Sequence, residues 1–156
     1  MKKFILLFLP ALLLTAACNK EKPSLNTYIY QETLRVVNNK PLLAEGEKAE
    51  DMTEKAPDTI RAKNDKAAYL QAYGRFCSSV LFHAMFNDES KAYTSYPDRF
   101  TLKNNKGENV AATVDLPDKK GEEDKIWQSH ISLETMLHSN DSAKLERIKN
   151  AVQVRF

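Results

Sequence analysis

Asn26-Thr27-Tyr28-Ile29-Tyr30-Gln31-Glu32-Thr33-Leu34-Arg35-Val36-Val37-Asn38 is the first stretch after the N-terminal segment that can join a core, and its reading decides how the fold begins. Tyr30, Leu34 and Val37 recur at helical spacing, which predicts a short helix over Asn26–Asn38. Tyr, Ile and Val also suit a strand. Pro41 stops the element in either case.

Further along, Lys66 to Phe86 contains no proline and follows two capping residues, Asn64 and Asp65. At 100° per residue Tyr69, Tyr73, Phe76, Cys77, Val80 and Ala84 share one face, flanked by Leu70 and Leu81. This face belongs in the core. Phe82 and Phe86 point away from it and call for a covering on a second side.

After Phe86 the period changes to two. Phe100 and Leu102 alternate with polar residues, as do Val110, Ala112, Val114 and Leu116, and Asn104-Asn105-Lys106-Gly107-Glu108 lies between the two runs. The pattern predicts a hairpin. Ile126 to Leu137 fits two periods: Trp127, Ser129, Ile131 and Leu133 alternate as in a strand, while Ile126, His130, Leu133 and Leu137 align on a helix. The longer alternation favours a third strand through Thr135. Asn140 to Lys149 predicts a short helix carrying Leu145 and Ile148, and Val152-Gln153-Val154-Arg155-Phe156 a fourth strand. The expected fold is α+β, with N-terminal helices packed on a small antiparallel sheet of about four strands.

Between the first element and the long helix, Glu45 to Lys66 is dominated by charge, with Met52 and Ile60 its only large apolar residues. It reads as a charged, flexible segment at 45–63, because so little apolar area cannot offset the entropy of ordering. The whole chain has 156 residues, with 23 Lys+Arg against 21 Asp+Glu. That is one domain, without the basic excess that would imply a nucleic-acid partner.

The N-terminus has a different character. Lys2 and Lys3 precede an apolar run from Phe4 to Leu14, too short for the roughly twenty residues of a membrane-spanning helix. Leu14-Thr15-Ala16-Ala17-Cys18 closes the run and resembles the lipobox of bacterial lipoproteins, with Thr15 standing where leucine is commonest. The resemblance implies a signal peptide over 1–17, cleavage between Ala17 and Cys18, and acyl chains on Cys18. Residues 18–24 would then be a lipidated tether and 25–156 a single domain. Two or more chains anchor firmly, at about 0.8 kcal/mol per buried methylene. For a Gram-negative lipoprotein, Asn19 after the cysteine implies the outer membrane, with the domain facing the periplasm. Losing Lys2 and Lys3 with the signal peptide leaves 21 basic and 21 acidic residues, so membrane affinity would rest on the lipid alone.

Catalytic signals are sparse. His83, His130 and His138 form no HxxxH or HxH pair, so no metal site is expected. Cys77 lies on the apolar helix face and reads as a core residue rather than a nucleophile. Glu122-Glu123-Asp124 reads as a solvated loop, and no phosphate loop, GxSxG or HExxH sequence occurs. Tyr28, Tyr30, Tyr93, Tyr96 and Trp127 are candidates for a binding surface, weighed against core packing. The expected function is a non-enzymatic binding or structural module of the envelope, without catalytic residues or cofactor, whose partners are the membrane through its lipid and another envelope protein. Two alternatives stand beside it: a periplasmic inhibitor or immunity protein, and a small hydrolase using His130 or His138.

Overall fold

The computed structural model describes residues 24–154. In chain order the elements are β1 (Asn26–Asn38), β2 (Glu50–Glu54), β3 (Asp58–Ala62), α1 (Asp65–Phe86), β4 (Tyr93–Lys103), α2 (Val110–Thr113), α3 (Lys119–Leu137) and α4 (Ser142–Val154). The class is α+β with a four-stranded antiparallel sheet, and the sheet begins the fold.

β1 is a strand, not the expected helix. Its β-branched and aromatic residues lose less side-chain freedom on a pleated surface than in a helix. Tyr28, Tyr30 and Glu32 alternate inward to the buried side, while Ile29 remains exposed. The helical spacing of Tyr30, Leu34 and Val37 was incidental. β1 is the centre of the sheet: β4 pairs along one edge, and β2 and β3 lie end to end along the other.

The charged stretch at 45–63 carries these last two strands. Thr33 faces Glu54 and Tyr30 faces Asp58, so Lys55, Ala56 and Pro57 stand opposite Gln31 and Glu32. This is a one-residue bulge, where a proline can sit without a missing ladder bond. β2 is exposed over its whole length, whereas Ile60 and Ala62 of β3 reach the core. Composition alone hid the strands because β1, rather than their own apolar content, holds them.

α1 lies between two layers, packing on β3 and β4 on one side and on α3 and α4 on the other. This position explains why it is more apolar than α3 and α4. Ala68, Ala72 and Leu81 are fully buried, with Tyr69, Tyr73, Cys77 and Met85 beside them. Phe100 of β4 joins the layers: its ring centroid is 5.6 Å from Tyr30, 6.0 Å from Tyr69 and 5.4 Å from Phe76. Asn64 caps α1, its side chain accepting from Ala67 N at 2.9 Å, as expected from the sequence.

Three of the expected strands are instead helix, one of them in part loop. The second arm of the hairpin is α2 and a loop, which packs on β4 but forms no ladder with it beyond the isolated bridge between Lys103 and Asn109. Residues 126–137 belong to α3, where Trp127 and Ile131 form an i,i+4 pair on the inner side. Asp118, expected in a turn, caps that helix by accepting from Gly121 N at 3.1 Å. Residues 152–154 continue α4, the short helix expected over 140–149, while 155 and 156 lie outside the described residues. Among the described residues no helix is long and apolar enough to cross a membrane.

Candidate binding groove

The second half of α1 is not fully covered. Phe76, Val80 and Ala84 lie four residues apart and are only half-buried, forming a ridge along the helix. Tyr96, Pro97 and Asp98 of β4, with Arg35 of β1, rise on one side of it, and Arg147, Asn150 and Ala151 of α4 rise on the other. Cys77 and Trp127 form the floor, each 1% exposed, and the turn Asn87–Ser90 closes one end. The cavity measures about 800 Å³, within the range of ligand sites.

Each wall is held in place by a specific bond. Arg147 donates from Nη1 to Met85 O at 3.0 Å and Asn87 O at 2.8 Å, fastening α4 to the end of α1. Asn87 donates from Nδ2 to Ser95 O at 2.8 Å, fastening the same end to β4. Arg35 pairs with Glu50 at 3.0 Å and lies 5.5 Å from the centre of the Tyr96 ring. Asp88 accepts from both Ser90 N and Ser90 Oγ, which holds its carboxyl below the usual range. The rim therefore carries both signs of charge.

A buried polar group braces the sheet against α1. The Glu32 carboxylate accepts from Tyr30 Oη at 2.5 Å, Lys55 Nζ at 2.9 Å and Ser79 Oγ at 2.8 Å. Burial and the neighbouring Glu32 push the Tyr30 phenol well above its ordinary value. Glu32 broke the apolar alternation of β1, and that break was its only signal in the sequence.

The expected site residues separate. Tyr96 and Trp127 meet in the groove, Tyr28 and Tyr30 are core residues, and Tyr93 lies outside the groove under Lys40. Glu123 is no loop residue: it lies in the second turn of α3 and accepts from the Tyr69 hydroxyl. His83 Nδ1 lies 3.2 Å from Ser95 Oγ, His130 Nδ1 lies 3.1 Å from Ser78 Oγ, and His138 lies 3.5 Å from Glu134 on the same helix. None of the three lines the groove. Among the described residues no group of three or more His, Cys, Asp or Glu is placed to hold a metal ion. Burial, then the charge of Glu123, pushes the Cys77 thiol up to about 12, so it is protonated at neutral pH. Ala17 and Cys18 lie outside the described residues. Sequence reasoning missed Arg147, Asn87 and Asp88 as groove residues, since only the packing of α4 on α1 gives them a common surface.

A second feature lies towards the same end of α1. Phe82 and Phe86 are 56% and 47% exposed, with ring centroids 4.8 Å apart. α1 and α3 run in the same direction, since Tyr69 meets Glu123 and Ser78 meets His130. The exposed Leu133, Met136 and Leu137 at the end of α3 therefore stand at the level of these two rings. The opposite end of the domain holds the start of β1: Asn26 pairs with Ala62, and Tyr28 Oη donates to Asp65 Oδ1 at 2.7 Å.

Comparison with protein-family models, curated proteins and solved structures finds no match for this chain.

Proposed function

We propose that the protein is a lipid-anchored component of the bacterial envelope, placed in the outer membrane and facing the periplasm, which acts without catalysis by binding another envelope protein. The groove carries this reading. It joins an apolar floor to a polar rim of mixed charge, the composition of a recognition site, while the three histidines lie outside it.

The lipobox-like Leu14–Cys18 supports the anchor, and the placement of the groove suits it. Eight residue steps separate Cys18 from Asn26, a reach of at most about 28 Å. The tether enters the domain where α1 starts. The 22 residues of α1 extend about 33 Å, and the groove follows their second half. Anchored at Cys18, the domain thus offers its groove and the Phe82–Phe86 pair at the end away from its own lipid.

Chemical crosslinking in intact cells tests the reading. The wild-type protein should retain one specific envelope protein through purification, and Ala84→Trp, which fills the groove, should lose it. Equal recovery with both proteins would rule out the groove as the binding site.

A further inference from the structure

The groove could receive an extended strand, a small amphiphile or a helix, and the hydrogen bonding of β4 separates the first from the last. Asn39 N donates to Ala92 O at 2.9 Å, and the β1–β4 register continues this pairing through Val37–Thr94 and Arg35–Tyr96. The main-chain groups of Thr94 and Tyr96 therefore point to β1, and those of Tyr93, Ser95 and Pro97 point to the open edge. That edge is closed to pairing. The Ser95 carbonyl is occupied by Asn87 Nδ2, Pro97 has no N–H, and Asp98 is the extra residue of a bulge. A strand laid here would bury main-chain groups without partners.

A helix brings its own hydrogen bonds satisfied. The Phe76–Val80–Ala84 ridge is the surface a crossing helix packs against, ridge into groove, with the largest residue at one end and the smallest at the other. The walls bring Arg35 and Asp98 to one side and Arg147 to the other, with Asp88 and Glu89 at the end. Such a rim complements the charged flanks of an amphipathic helix and gives no preference to a single anionic or cationic head group. We infer that the groove between β4 and α4 binds an amphipathic helix of a partner protein, whose apolar stripe lies on the α1 ridge. This rests on the groove being the site of partner binding, and it specifies the form in which the partner is recognised.

The test places p-benzoylphenylalanine at Asn150, an exposed residue of the groove rim, and at exposed Met52 as a control, in the full chain expressed in its native cells. Irradiation should crosslink a partner from position 150 and not from 52. The crosslinked segment should repeat apolar residues at i, i+3 or i+4, and i+7. A synthetic peptide of that segment, kept free of tryptophan, should shift the emission of Trp127, the single tryptophan of the chain, saturably and gain helical circular dichroism on binding. Ala84→Phe should weaken the peptide at least tenfold without changing the protein's own far-ultraviolet spectrum. A crosslink from 150 to a lipid, or to a segment that binds without gaining helix, would overturn the helix assignment and leave the groove as a site. No crosslink from 150, or equal crosslinking from 150 and 52, would remove both.

Discussion

Lys55 meets Glu32 twice: its Nζ lies 2.9 Å from the buried carboxylate, and its main-chain N donates to Glu32 O at 2.9 Å. The residue that forms the bulge between β2 and β3 is thus the one that neutralises the only inward-facing acid of β1. Glu32 is 4% exposed while the Lys55 side chain is 44% exposed, so the pair belongs to neither the buried nor the surface limit. Lys55→Met leaves the carboxylate with Tyr30 and Ser79 alone and should cost about 2 kcal/mol, below the ~3–5 kcal/mol of a fully buried pair because half of Lys55 is already in water. Ser79→Ala should cost about 1 kcal/mol, and the double variant should differ from the sum, since both donors share one oxygen. Urea midpoints at unchanged slope measure all three. An unaltered midpoint for Lys55→Met would show that the bulge is held by the main chain alone.

His83 sets a pH dependence of known sign. Burial is the main cause of its lowered pKa, and the nearby Lys55 lowers it further against the opposing influence of Glu32 and Ser95. The folded state prefers the neutral ring, so the unfolded state binds more protons once pH falls below about 6.5. Stability should therefore be complete above that value and decline as pH falls through the folded pKa. Asp88 and Asp141 are lowered by hydrogen bonds, and their contributions are lost only at more acid pH. In urea titrations from pH 8 to 5, His83→Asn should flatten the decline below pH 6.5. A wild-type profile that is level over this range would contradict the assignment.

Cys77 should be inert. A thiol pushed up to about 12 and 1% exposed is protonated and inaccessible at pH 8. In protein that begins at residue 19, a disulfide reagent should react with no thiol until denaturant is added, and then with one. Rapid reaction of the native protein would show that the groove floor opens.

The clearest part of the fold to read was α1, whose cap at Asn64 and buried Tyr69, Tyr73 and Cys77 follow from local periodicity. β1 and α3 were misread for opposite reasons. In β1 a chance helical spacing outweighed a β-branched composition, whereas in α3 a chance alternation of Trp127, Ile131 and Leu133 outweighed the cap at Asp118. Partner elements decided both. β1 gains its ladders from chain up to Lys103, and α3 gains its place from Trp127 lying against α1. The groove was only partly legible: Tyr96 and Trp127 were candidate binding residues, but their meeting depends on α4 crossing the end of α1, which Arg147 fixes through two carbonyls. No local pattern encodes that crossing.

Anchoring at Cys18 is the claim on which the orientation of the groove and the nature of its partner depend. It is tested most directly by growing cells with an alkyne fatty acid and comparing the wild-type protein with Cys18→Ala. The account predicts a labelled wild-type protein that begins at residue 18 and fractionates with the outer membrane, and an unlabelled variant that keeps residues 1–17. Equal processing of the two proteins, with no label on either, would contradict it.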